Sequence, residues 1–178
     1  MLKAVITLFA GAAIALTVVG PTLAGHTASG GGTYFVATGI LSQFQFSPGS
    51  LQCKVATAPP FAREFQMFMF STSITDFRTD THGFPPLVMV EGDMVSTTVF
   101  GRGKNREVLT EVVPFEAVGE DGGTPGAGFD FFSLTVEYAD VMGGQGPQFA
   151  GLSFGSCDGS TCTITFEGTL ESGNVRVH

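Results

Sequence analysis

Positive charge is the scarcest property of this chain. Only 8 of its 178 residues are Lys or Arg, against 16 Asp and Glu, and the formal net charge is −8. Such a surface repels phosphate backbones, and the one basic cluster, RGKNR at 102–106, is too small to form the basic stripe of a nucleic-acid-binding protein. We therefore expect no nucleic-acid partner.

Aromatic side chains with a polar group are also scarce. Tryptophan is absent and Tyr occurs twice, at Tyr34 and Tyr138, whereas Phe occurs 18 times. A phenyl ring has no polar handle, so the composition predicts that the phenylalanines fill a core and do not form the aromatic platform of a sugar-binding cleft.

Histidine, the usual general base near neutral pH, is rare. His26 and His178 lie near the chain ends, and His82 is the one internal histidine. Asp80 precedes it by two residues, but DTHGFPP is typical of a loop, and no serine stands in a G-x-S-x-G turn. We predict no catalytic residue. The alternative is a small secreted hydrolase or isomerase that uses a pair of carboxylates.

Three cysteines allow at most one disulfide within the chain. Cys157 and Cys162 flank the turn residues DGST. Facing positions in a hairpin bring alpha carbons to about 4.5 Å, a separation that a disulfide tolerates. We predict a Cys157–Cys162 bridge with Cys53 unpaired, and a bridge from Cys53 is the alternative. The chain lacks the further Cys or His ligands of a zinc site.

The N-terminus has the composition of an export signal. Lys3 precedes an apolar run from Ala4 to Gly20, and Thr22 and Ala24 are small residues at the spacing that a signal peptidase needs. We predict a helical signal peptide over 1–24, cleaved after Ala24, with a retained transmembrane anchor as the alternative. The cleaved protein is expected to be secreted or at the cell surface, without membrane contact.

Hydrophobic residues alternate with polar ones along most of the remaining chain. After a Gly/Ser-rich leader at 25–32, segments such as FFSLTVEY at 131–138 place apolar residues on one face, as a half-buried strand does. Turn signals recur at short intervals. We predict a single all-β domain over 33–178, an antiparallel β-sandwich, with an open or closed β-barrel as the alternative.

Two segments depart from simple alternation. Pro114 cannot donate to a ladder, so it predicts an edge strand or a bulge. The segment EFQMFMF at 64–70 is apolar on both faces, which predicts a strand buried on both sides. An exposed hydrophobic stripe used for contact is the alternative.

The segment EDGGTPGAGFD carries three carboxylates, Glu120, Asp121 and Asp130. Carboxylates and carbonyls are the ligands that calcium prefers, but the spacing differs from the D-x-D-x-D-G pattern of an EF-hand loop. Several glycines and a proline are typical of a turn. We predict a turn and no cofactor, with calcium bound by Glu120, Asp121 and Asp130 as the alternative.

Four segments together resemble a known family. They are GGGTYFVATG at 30–39, STSITDF at 71–77, the segment 115–138 and FEGTLESGNVRVH at 166–178. They are similar to a family of small secreted bacterial β-domains labelled post-COAP, after a choice-of-anchor protein class. The resemblance covers most of 30–178, with longer insertions at 57–70 and 141–162.

The resemblance implies an exported all-β domain and no particular reaction. We therefore expect a non-catalytic secreted or cell-surface module that acts by protein or surface interaction. Its expected partners are other cell-surface or extracellular proteins.

Overall fold

The computed structural model describes residues 27–37, 39–57, 65–100, 107–123, 127–139, 148–149, 152–153, 156–157 and 161–178. The expected signal-peptide helix at 1–24 lies outside these residues. The described chain consists of β-strands and their connections and contains no helix. The all-β prediction is confirmed.

The described residues form twelve strands. They are β1 (Ala28–Ala37), β2 (Ile40–Ser47), β3 (Ser50–Thr57), β4 (Phe65–Asp80), β5 (Leu87–Phe100), β6 (Glu107–Glu120), β7 (Phe131–Ala139), β8 (Gln148–Phe149), β9 (Leu152–Ser153), β10 (Ser156–Cys157), β11 (Thr161–Thr169) and β12 (Ser172–Val177). Ten of them form one antiparallel sheet in the order β10-β11-β7-β6-β5-β4-β3-β2-β1-β12, and β8 pairs with β9 in a separate ladder.

The ten-stranded sheet curls into a half-barrel. β11 and β12 follow each other in the chain, yet β11 pairs with β7 and β12 pairs with β1 at the other end of the strand order. The two ends therefore approach each other. The Tyr34 hydroxyl donates to the Phe166 carbonyl at 3.1 Å, and the Glu171 N–H donates to the Thr33 carbonyl at 2.8 Å.

The two facing sheets of the predicted sandwich are not found among the described strands. β1 to β7 pair in chain order, each with the next, so none of them is passed to a second layer. The curled sheet agrees with the open-barrel alternative.

The concave face holds the core. The rings of Phe44 on β2 and Phe132 on β7 stack with centroids 3.8 Å apart and planes 9° apart, so opposite walls of the half-barrel touch. Phe46 and Tyr34 pack around this pair. The alternation in the sequence thus separates an inner apolar face from an outer face on strands such as β2 and β3.

The prediction that residues 25–32 form a leader outside the domain is wrong for Ala28 to Gly32. These residues belong to β1 and pair with β12. The small residues here permit close packing. A side-chain carbon on Gly32 would lie 2.2 Å from the Ser172 carbonyl oxygen, and one on Gly30 would lie 2.5 Å from the Phe46 ring. Composition alone does not distinguish such a tightly packed strand from a flexible linker.

Pro114 lies where two strands separate. β6 pairs with β5 over its whole length but with β7 only over Phe115–Glu120. Pro114 is the first residue beyond that shorter ladder, where the missing N–H costs no bond to β7. Within the described chain, the first half of β6 is therefore an edge, as Pro114 predicts.

Candidate functional site

The acidic loop between β6 and β7 joins the two ends of the half-barrel. Asp130 is fully buried, and its Oδ2 accepts the backbone N–H of Val175 at 2.6 Å while its Oδ1 accepts that of Gly122 at 2.9 Å. Asp121 Oδ2 accepts the N–H of Val177 at 3.2 Å. Among the described strands β12 pairs only with β1, so these two carboxylates satisfy backbone donors on its other side.

The same contacts bear on the calcium alternative. The second oxygen of Asp121 accepts the Gly123 N–H at 3.2 Å, so all four oxygens of Asp121 and Asp130 accept backbone donors. Glu120 ends β6, opposite Leu87 and Phe131 in the ladders. In the part of the chain that the structure describes, no group of three or more His, Cys, Asp or Glu side chains could hold a metal ion. The turn without a cofactor stays the prediction, and calcium bound by these carboxylates stays the alternative that a titration tests.

His82 lies in the exposed connection between β4 and β5. Asp80 Oδ1 accepts the backbone N–H groups of His82 and Gly83, both at 2.9 Å. The Asp80 side chain thus closes an Asx-type turn. His82 Nδ1 lies 3.4 Å from Thr81 Oγ1. Asp80 therefore holds the loop backbone and does not orient the imidazole ring, so this pair lacks the geometry of a catalytic base and its carboxylate.

The cysteines separate into two environments. Cys157 stands opposite Cys162 in the β10–β11 ladder, the register that a hairpin disulfide needs. The side chain of Cys157 lies outside the described residues, so the bridge stays a prediction. Cys53 is free, as predicted, and the structure shows that it is also buried, with its Sγ 3.3 Å from Ser42 Oγ. Burial raises the pKa of the Cys53 thiol to about 12, so it is protonated and unreactive near neutral pH.

Both tyrosines point into the core. Burial raises the pKa of Tyr34 well above its ordinary value. The Tyr138 hydroxyl lies 2.7 Å from Ser96 Oγ and 3.6 Å from Met67 Sδ, and burial raises its pKa to about 12. Neither ring is available as a platform at the surface.

The outer face of β2, β3 and β4 carries a cluster that sequence reasoning missed. Its side chains stand in two rows across the strands, one formed by Gln43, Lys54 and Phe68 and the other by Gln45, Gln52 and Phe70. Together they line a groove of about 260 Å³, which we call the outer groove.

The outer groove has an aromatic wall and a polar floor. Phe70 is 48% exposed and Phe68 is half-buried, while the Lys54 ammonium lies 5.4 Å from the centroid of the Phe68 ring. On the β1 side, Gly31 lies opposite Gln45 and has no side chain, so the β1 residue beside this amide does not cover it, whereas Thr33 lies opposite Gln43. None of the described side chains that line the groove is a carboxylate.

The prediction that EFQMFMF is a strand buried on both sides is therefore wrong. Met67 and Met69 are buried in the core, but Phe70 faces outward in the described structure with no second layer over it. The apolar surface continues across the sheet onto β5 and β6. Phe70 pairs with Val95 on β5, and Val95 pairs with Val112 on β6, which is 68% exposed. The exposed-stripe alternative describes the outer side of this strand correctly.

A signal for the outer groove was present in the sequence. SQFQFS in β2 and LQCKV in β3 alternate so that Gln43, Gln45, Gln52 and Lys54 share one face of the sheet. That alternation shows which residues face outward. It does not show that strands β2, β3 and β4 are adjacent, which is what brings the amides next to the phenyl rings.

Comparison of the chain with protein families, with curated proteins and with solved structures finds no match in any of the three. Within the described residues there is also no helix with the length and hydrophobicity needed to cross a membrane.

Proposed function

We propose that this protein is a non-catalytic secreted or cell-surface module that acts by binding, through the outer face of β2, β3 and β4. The observation that carries the proposal is the outer groove, where a 48% exposed Phe70 stands beside three exposed amides. A large apolar side chain beside unpaired polar groups on a sheet surface is typical of a contact site.

The arrangement of the polar residues supports binding over turnover. Asp80, Asp121 and Asp130 each accept backbone N–H groups and so serve the local structure. Loops and exposed faces on a rigid scaffold are where binding surfaces usually lie. The expected partners are other cell-surface or extracellular proteins or surfaces.

Export belongs to the same proposal. It rests on the composition of residues 1–24 and on the resemblance to the secreted bacterial post-COAP β-domains. A Cys157–Cys162 bridge suits an oxidising compartment, since disulfides persist outside the cytosol.

A paired assay tests the proposal. Purified protein that begins at Gly25 is incubated with extracellular material from the producing cells, and separately with glycan, ester and peptide substrates. We expect saturable retention and no turnover. Turnover that disappears in His82→Ala, or in a folded variant lacking one carboxylate, would overturn the proposal in favour of the hydrolase or isomerase.

A further inference from the structure

We propose that the outer groove is a binding site for a glycan chain. This inference deepens the proposed function and rests on it, because it assigns a class of ligand to the same surface.

The three amides provide the first argument. Gln43, Gln45 and Gln52 are exposed, and in the described part of the chain none of them makes a side-chain hydrogen bond to another protein group. Each amide offers two N–H donors and a carbonyl acceptor. Sugar hydroxyls both donate and accept hydrogen bonds, so a set of neutral amides matches them without the cost of burying a charge.

The wall of β4 provides the second argument, and it departs from the expectation that the phenylalanines form no sugar platform, because Phe70 is 48% exposed. A phenyl ring has a negative face, which attracts the weakly positive C–H bonds on the flat side of a sugar ring. Phe68 and Phe70 are two residues apart on β4, so their rings stand on the same side of the sheet beside the amides. The apolar face of a sugar and its hydroxyls thus meet different parts of one groove.

The charge of the groove lining narrows the class of glycan further. Among the described residues that line the groove, Lys54 is the one charged side chain, on a chain whose net charge is −8. Its ammonium is held near the Phe68 ring by a cation–π contact, and it can donate to a hydroxyl or to the carboxylate of a uronic acid. With no carboxylate among its described lining residues, the groove favours neutral or acidic glycans over cationic ligands.

A protein partner fits the groove less well. The centres of protein interfaces are apolar, enriched in aromatic residues, Met and Arg, and depleted in Lys. Here three amides and a lysine make up half of the eight lining residues, which is more polar than the centre of such an interface. Among the described residues, Gly31 is the β1 neighbour of Gln45 and has no side chain, so a sugar chain can continue past Gln45 toward β1.

Binding of oligosaccharides to the purified protein that begins at Gly25 tests the inference. Cello-oligosaccharides and chitin oligosaccharides are the neutral probes, and oligogalacturonate is the acidic one. We expect at least one probe to shift the side-chain NMR signals of Gln45 and Gln52 and to bind with a measurable Kd. The variant Gln52→Ala removes one amide from the middle strand and should weaken that binding about tenfold.

Thr165→Ala is the matched control, because Thr165 is an exposed residue on the outer face of β11 and does not line the groove. It should leave the Kd unchanged. Lys54→Gln separates the two kinds of glycan, since it should weaken oligogalacturonate and spare a neutral probe.

Two results would overturn the inference. One is the absence of binding by all three probes. The other is binding that Gln52→Ala and Thr165→Ala affect equally. If the glycans fail while an extracellular protein is retained in a manner that depends on Phe70, the glycan inference falls and the proposed function stands. If the protein turns over a substrate, both fall.

Discussion

Replacing Asp130 with alanine removes the carboxylate that joins the β6–β7 loop to β12. The side chain is fully buried and accepts the Val175 N–H at 2.6 Å and the Gly122 N–H at 2.9 Å. When Asn174 is oriented by its hydrogen-bond partners, its amide donates to the same carboxylate at 2.8 Å. The backbone bond from the Leu170 N–H to the Asp130 carbonyl is unaffected by the substitution.

The cost follows from which donors are left without a partner. The contact to Val175 is buried, so the substitution leaves an unsatisfied N–H that costs about 1–3 kcal/mol. Gly122 is exposed, so water replaces its bond and the loss is about 1 kcal/mol. We expect Asp130→Ala to lower the free energy of unfolding by about 3 kcal/mol, or the Tm by roughly 6–12 °C for a domain of this size.

Urea unfolding of the purified domain measures this loss, and two further variants are measured beside it. Asp121→Ala breaks only partly buried bonds of 3.2 Å and should cost about 1 kcal/mol or less. Asp130→Asn keeps the volume and one acceptor, so it should fall between the wild type and Asp130→Ala. If Asp130→Ala costs less than Asp121→Ala, the argument that Asp130 holds the two ends of the sheet together is refuted.

Three further predictions concern processing, cysteine chemistry and metal binding. Intact mass of the exported protein should correspond to a chain that begins near Gly25, and a membrane-bound chain with its first residues intact would contradict this. Non-reducing peptide mapping should find Cys157 joined to Cys162, while Cys53, whose pKa burial raises to about 12, should resist alkylation at pH 8 until the protein is unfolded. Millimolar calcium should leave the Tm unchanged, and a rise of several degrees that is lost in Asp121→Asn would establish the calcium site instead.

The sequence predicts the strands better than it predicts their arrangement. Alternation in FFSLTVEY correctly places Phe132, Leu134 and Val136 in the core, because period two is a local property of a strand. Whether strands form two layers or one curled sheet depends on which strands pair. The pairing of β12 with β1, which shapes the half-barrel, joins residues about 140 positions apart, such as Thr33 and Ser172.

The candidate site escaped prediction for the same physical reason. Glutamine carries no distinctive chemistry in a linear motif, and Gln45 and Gln52 become neighbours only through the β2–β3 register. Hydrophobicity alone assigns the phenylalanines of EFQMFMF to a core, yet within the described residues no second layer covers the convex face of the sheet, and Phe70 is exposed. The sequence indicates Asp130 only as a ligand of the alternative calcium site. Its carboxylate instead accepts the N–H of Val175, which lies 45 residues further along the chain.

The most direct test of binding through the outer face compares two phenylalanine variants. Phe70→Ser changes the groove wall, where the side chain is 48% exposed, and Phe35→Ser changes a β1 side chain that is 51% exposed and does not line the groove. Both are measured for retention on extracellular material from the producing cells, after circular dichroism confirms that each is folded. We predict that Phe70→Ser loses at least tenfold in apparent affinity while Phe35→Ser keeps that of the wild type. Equal retention of the two variants would contradict binding through the outer face of β2, β3 and β4.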